Sequence, residues 1–255
     1  MTAIVKVDGL SKAFGGVHAI ADLSFDAEPG TVQAIIGPNG AGKTTLINLL
    51  TGVYTPDRGT IEMFGQRVEQ EPPERRARLG LSRTFQNLQV CMNMTAMDNV
   101  LVGAHLQLRH GILAGIVRSR RLREDDELRR DKARELIRFV GIHSDPDVPA
   151  SQLSYGALKR LEIARALAGE PQLVLMDEPA AGLNPSEKGE IADLIRRVSA
   201  RGTSILIIEH DMKLVMGVAH SILVLNNGRR LALGSVDDVR RDPAVIEAYL
   251  GTTDD

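Results

Sequence analysis

The sequence predicts an α/β fold with a parallel-sheet core, and three kinds of observation predict it. Short apolar runs at Val32–Ile36, Leu173-Val174-Leu175-Met176 and Ser204–Ile208 have the look of buried parallel strands. Helical periodicity follows such runs, so that strands and helices alternate. A glycine-rich turn, Gly37-Pro38-Asn39-Gly40-Ala41-Gly42-Lys43-Thr44, stands where the first of these strands meets its helix.

In chain order, Ile4-Val5-Lys6-Val7 and Leu23-Ser24-Phe25-Asp26-Ala27 alternate apolar and polar residues, which predicts half-exposed strands. Residues 44–50 predict a helix that stops near Gly52. No convincing strand is found between Gln86 and Gly169, so residues 87–169 are expected to form a mainly helical insert. Within it, the mixed-charge run 118–134 predicts a solvated helix or exposed arm. Leu128, Leu136, Ile137 and Val140 suggest one side of a helix ending at Gly141. Helix 157–168 places Leu158, Leu161, Ala164 and Leu167 on one buried face, with Ser154 where an N-cap belongs. Asn184, Pro185 and Glu187 mark another helix start, and Ile191, Leu194, Ile195 and Val198 give that helix its apolar side. The chain thus reads as one domain over 1–255, with its core in 1–86 and 170–255.

With 255 residues, 43% of them hydrophobic, the chain can bury a full core. Its net charge of −2 lacks the basic excess of a dedicated nucleic-acid binder, and no nucleic-acid partner is expected. The single Cys91 excludes an intramolecular disulfide and stands in no metal-ligand cluster. The amino terminus has no secretory pattern. The longest apolar candidate, 100–117, is interrupted by His105, Gln107, Arg109 and His110, short of the roughly 18 apolar residues of a span. The chain is therefore expected to dock on a membrane protein at most, in a reducing compartment.

The chemistry lies in three segments. In the loop from Gly37 to Thr44, glycines let backbone N–H groups face phosphates, and the following helix start adds partial positive charge. Lys43 supplies a cation to the β- and γ-phosphates, Thr44 a hydroxyl to Mg²⁺, and Thr45 a contact to the α-phosphate. In Leu173-Val174-Leu175-Met176-Asp177-Glu178-Pro179, an apolar strand ends in two carboxylates at the edge where open α/β sheets bind ligands. Asp177 is expected to hold Mg²⁺ largely through water, and Glu178 to polarise the water that attacks the γ-phosphate. The third segment is Leu153-Ser154-Tyr155-Gly156, whose Ser-capped helix start is a second potential phosphate site.

The order of phosphate loop, Gln86, Leu153-Ser154-Tyr155-Gly156, Asp177-Glu178 and His210 resembles the nucleotide-binding subunits of ATP-binding-cassette transporters over nearly the whole chain. That resemblance implies a P-loop NTPase core with a parallel sheet, an antiparallel β subdomain and an inserted α-helical subdomain. It implies ATP and Mg²⁺ as cofactors and a head-to-tail pair of ATPase subunits, identical or not. Each ATP would lie between the phosphate loop of one subunit and Ser154 and Gly156 of the other. Gln86 would contact Mg²⁺ or water and sense the membrane partner, and His210 would contact the γ-phosphate. Ala181-Gly182-Leu183-Asn184 would touch the opposite subunit, and Phe14 would stack on adenine. Two integral permease subunits and, indirectly, a solute-binding protein complete the implied assembly at the cytoplasmic face of the inner membrane. Tyr155 and Ala157 depart from the usual Leu-Ser-Gly-Gly-Gln, which puts affinity across the dimer in question.

Phe14-Gly15-Gly16-Val17, Arg83-Thr84-Phe85-Gln86-Asn87-Leu88, Glu209-His210-Asp211-Met212 and Val245-Ile246-Glu247-Ala248-Tyr249-Leu250-Gly251 resemble one branch, the bacterial importers of branched-chain amino acids and related small amides. ATPases of lipid or lipopolysaccharide export complexes remain an alternative within the family. A non-transport cassette ATPase would usually carry a duplicated cassette, a coiled-coil arm or a basic face, and none of these is evident. A small-molecule kinase would have no use for Ser154 and His210.

Overall fold

The computed structural model describes residues 2–105 and 120–250. Gly251, residues 106–117 of the apolar candidate and residues 118–119 of the charged run lie outside them. Among the described residues no helix is long and apolar enough to cross a membrane.

The strands are β1 (Val5–Phe14), β2 (Val17–Ala27), β3 (Val32–Ile36), β4 (Arg58–Met63), β5 (Gln66–Arg67), β6 (Leu81–Arg83), β7 (Leu173–Asp177), β8 (Ser204–Ile208), β9 (Ser221–Asn226) and β10 (Arg229–Gly234). The helices are α1 (Lys43–Leu50), α2 (Pro73–Leu79), α3 (Ala96–Gly103), α4 (Arg120–Phe139), α5 (Tyr155–Leu167), α6 (Pro185–Ala200), α7 (Met212–Val218), α8 (Val236–Arg241) and α9 (Pro243–Leu250). They build the expected α/β architecture. One antiparallel sheet runs β2-β1-β4-β5; a second, in the order β10-β9-β3-β8-β7-β6, is parallel from β9 to β6.

Both faces of the larger sheet are covered, which explains its continuous apolar strands. Val32, Ala34, Ile36, Val174, Met176, Ile205 and Ile207 pack toward α3, α4, α5 and α6. The alternate residues Ile35, Leu173, Leu175, Leu206 and Ile208 pack toward α1 and the antiparallel sheet. The period of two of a pleated strand sorts these side chains between the two cores.

Helix starts follow their side chains. Ser154 caps α5 by accepting from Ala157 N at 3.3 Å. Asn184 caps α6 in a reciprocal arrangement: its side chain accepts from Ser186 and Glu187, and Glu187 accepts from Asn184 N at 3.0 Å.

Three expectations change. Helix α5 begins at Tyr155 rather than 157, and almost its whole circumference is buried, Lys159 and Glu162 included. Leu128 is 57% exposed, and the apolar side of α4 is carried by Ala133, Ile137 and the following Val140. This 20-residue helix is dense in charge and meets the core through Ala133 and Ile137, which leaves an early leucine in solvent. The strands β9 and β10 had no place in the sequence reading, yet β9 lies directly beside β3.

Candidate functional site

The carboxyl ends of β3, β7 and β8 and the segment after β6 gather the site. The loop after β3 is fixed by close packing. A Cβ on Gly37 would lie 2.3 Å from the Leu225 carbonyl oxygen, and one on Gly42 would lie 2.5 Å from that of Ala19. Gly42 also has φ of 101°, a backbone region that L side chains rarely adopt. The neighbouring strands β9 and β2 therefore press on the loop and require glycine at both positions. Asn39, Gly40 and Thr44 remain exposed. Lys43 folds back, its Nζ donating to the carbonyl oxygens of Gly37 at 2.6 Å and Pro38 at 2.9 Å. Burial pushes the Lys43 ammonium below its ordinary pKa, and the nearby Glu178 and Asp177 oppose that shift.

At the end of β7, Asp177 is buried, and burial pushes its carboxyl above the usual range against the pull of Arg83. Arg83 donates to Asp177 Oδ2 at 3.1 Å and to Asn48 Oδ1 of α1 at 2.8 Å, so it ties β6, β7 and the phosphate helix together. Glu178 follows with φ of 49°, a left-handed conformation costing a non-glycine residue on the order of 1 kcal/mol. Its N–H donates to Ile208 O at 2.9 Å, which holds that conformation. The carboxylate of Glu178 meets Gln86 Nε2 at 3.0 Å and stands 3.6 Å from His210 Nδ1. His210 is mostly exposed.

The residues expected to meet a cation offer hard oxygen: the Thr44 hydroxyl, the Asp177 carboxylate and the carbonyl of Gln86, whose Nε2 is taken up by Glu178. That set suits Mg²⁺, which takes few protein ligands and fills its sphere with phosphate oxygens and water. Among the described residues no group of three or more His, Cys, Asp or Glu that could hold a metal occurs.

Other predicted residues stand apart. Phe14 packs edge-on against Tyr54 at 5.2 Å and remains 43% exposed. Ser154 is exposed and Gly156 is buried, and no hydrogen bond among the described residues joins either to the phosphate loop. Tyr155 donates its hydroxyl to Ala181 O at 3.4 Å, in the segment Ala181-Gly182-Leu183-Asn184.

Sequence reasoning gave no role to Arg83, Glu209, Lys159 or Glu162. Glu209, buried at the end of β8, accepts from Ala180 N at 3.0 Å and from His210 N at 3.2 Å. It therefore connects the segment after Glu178 to the segment carrying His210. Its position beside His210 was the available signal.

Residues 20–181 match the family described as ABC transporter. This chain belongs to that family. As an ABC ATPase it binds and hydrolyses ATP. Residues 229–255 also match the family described as branched-chain amino acid ATP-binding cassette transporter. The chain is 42% identical over 249 residues to the high-affinity branched-chain amino acid transport ATP-binding protein LivG of Escherichia coli (strain K12), covering 97% of this chain and 98% of that one. It is 41% identical over the same length to BraF of Pseudomonas aeruginosa, a protein of the same description, again covering 97% and 98%. Its structure resembles the ADP conformation of an ATP-binding cassette of an ABC transporter, with a TM-score of 0.84 and 31% identity. That match covers 98% of this chain and 100% of the other.

Proposed function

We propose that this ABC ATPase powers import of branched-chain amino acids or related small amino acids and amides. The observation that carries the proposal is the near full-length likeness to LivG and BraF, joined to the separate match of residues 229–255. We place the ATPase at the cytoplasmic face of the inner membrane, beneath two permease subunits that receive solute from a binding protein. The same reading divides the domain into a core of 1–86 and 170–255 and a helical subdomain of 87–169.

In this reading the backbone of Gly37, Pro38, Asn39, Gly40, Ala41 and Gly42 wraps the phosphates. Lys43 exchanges its loop carbonyls for β- and γ-phosphate oxygens, and Thr45 reaches the α-phosphate. Mg²⁺, when bound, neutralises charge on the transferred group. Thr44, Gln86 and, through water, Asp177 would hold it. Glu178 accepts the proton of the attacking water, while Gln86 and His210 fix its carboxylate and the γ-phosphate. Phe14 offers its open face to adenine. Ser154 and Gly156, which have no partner in the phosphate loop of their own chain, would serve a second ATPase subunit arranged head to tail. The exposed Phe85, next to Gln86, and the exposed Met92 and Met94 further along the chain suit contact with the permeases.

Purification of the tagged chain from its native membranes tests this. Co-purification of two hydrophobic permeases and capture of an amino-acid-binding protein are expected. Recovery with lipopolysaccharide-bearing partners instead would overturn the import reading while leaving the ATPase intact.

A further inference from the structure

Helix α5 contains charged residues that its burial makes costly. Lys159 is 2% exposed and Glu162 is 3% exposed, one turn apart on the same helix. Burial pushes the Glu162 carboxyl above its ordinary pKa, so the pair is not held there by solvation. Among the described residues neither forms a close ion pair; both point at the backbone that follows β6. Lys159 Nζ donates to the carbonyl oxygen of Gln86 at 3.2 Å. Glu162 Oε1 accepts from Phe85 N at 3.2 Å. One further turn along, Arg165 NH1 donates to the carbonyl oxygen of Gln89. Three charged side chains, at 159, 162 and 165, thus grip one stretch of main chain from Phe85 to Gln89.

An apolar face would pack against this stretch equally well but would let it slide. Main-chain hydrogen bonds to charged groups are directional, and losing one strands a buried charge. The grip therefore fixes the main chain from which the Gln86 side chain reaches Glu178.

We propose that Lys159 and Glu162 are positioning residues for hydrolysis. Their grip on Gln86 and Phe85 makes the Gln86–Glu178 contact depend on where α5 stands. Because Ser154 caps this same helix, a shift of α5 on engaging a second subunit would be transmitted directly to the carboxylate of Glu178. The inference rests on the assignment of Gln86 and Glu178 to the hydrolytic site.

The test is steady-state ATP hydrolysis by the full chain carrying Lys159→Met, Lys159→Arg, Glu162→Gln or Gln86→Ala, with thermal unfolding of each. Lys159→Met should lower kcat about tenfold while KM for ATP moves less than about twofold, since the phosphate loop is untouched. Lys159→Arg, which keeps a donor, should recover most of the rate. Lys159→Met combined with Gln86→Ala should be no slower than Gln86→Ala alone, because both act through one contact. A folded Lys159→Met with unchanged kcat, or an additive double variant, overturns the proposal. If Gln86→Ala itself hydrolyses normally, the assignment of Gln86 has failed instead. Should Lys159→Met not fold, Glu162→Gln carries the same comparison. A loss of rate that tracks only a loss of Tm, without rescue by Lys159→Arg, assigns the residues a purely structural role.

Discussion

Gln86 reaches Glu178 with its side-chain amide, Nε2 to Oε2 at 3.0 Å, across 92 positions of sequence. The contact leaves the other carboxylate oxygen of Glu178 facing His210 Nδ1 at 3.6 Å. The hydrogen bond from Gln86 gives the carboxylate a fixed direction, which the general-base role proposed for it requires.

Glu178→Gln should therefore retain ATP binding and reduce kcat by roughly 10²-fold or more, the usual contribution of a general base. ATP-dependent dimerisation, followed by size-exclusion chromatography, should become more persistent as hydrolysis stops. Hydrolysis at the wild-type rate would assign the base elsewhere.

Asp177 predicts opposite effects on activity and stability. Its carboxyl is pushed up by burial, so ionisation is less favourable folded than unfolded. Such a group contributes stability below its unfolded pKa, and that contribution is lost as pH rises through the raised folded value. Asp177→Asn should accordingly unfold at a higher temperature than wild type near pH 7, by about 2–4 °C for each 1 kcal/mol. The difference should shrink as pH falls through the raised range. Hydrolysis should be lost at every pH. A variant less stable than wild type at pH 7 would mean that the Arg83 pairing outweighs burial.

Arg76 is a structural counterpart to the loop. It is 1% exposed, and its pKa is lowered by burial to about 10. Its guanidinium donates to Leu49 O at 2.6 Å, Leu50 O at 2.9 Å and Glu71 O at 2.9 Å, closing the carboxyl end of α1. Arg76→Met should cost about 2–3 kcal/mol by helix-end and loop carbonyls left unpaired, seen as a lower urea midpoint. Arg76→Lys should not restore it, since an ammonium cannot span all the acceptors.

Gly156 stands against α6. A Cβ there would lie 2.6 Å from Glu187 Oε1 and would push aside the side chain that completes the cap of Asn184. Gly156→Ala should lower stability by about 1 kcal/mol, the usual value of a cap. In a Glu187→Ala background the same substitution should cost much less. Equal costs in both backgrounds would show that Glu187 simply moves away.

The residues proposed to hold phosphate were legible because their spacing is local: a strand, a turn and a helix start lie within Val32–Ile36 and the loop that follows. The caps at Ser154 and Asn184 were legible for the same reason. Lys159 and Glu162 were not, since charge on a helix ordinarily signals solvent, and their acceptor and donor lie more than a helix away in sequence. Arg83 and Glu209 likewise take meaning only from partners on other strands. Strand β9 escaped because its partner β3 is remote, while the hairpin turn at Asn227 and Gly228, with φ of 47° and 74°, was a signal left unused.

The strand that carries the phosphate loop has an awkward position in time. β3 pairs with β8 on one edge and β9 on the other, both drawn from the last part of the chain. Leu225, whose carbonyl presses on Gly37, emerges from the ribosome later still than β8. During synthesis the loop is made early and stays unsupported until nearly everything downstream exists. A chain stalled before β9 therefore holds the full phosphate motif without a finished grip, and nucleotide capture is expected to mark a chain made at least through Asn226.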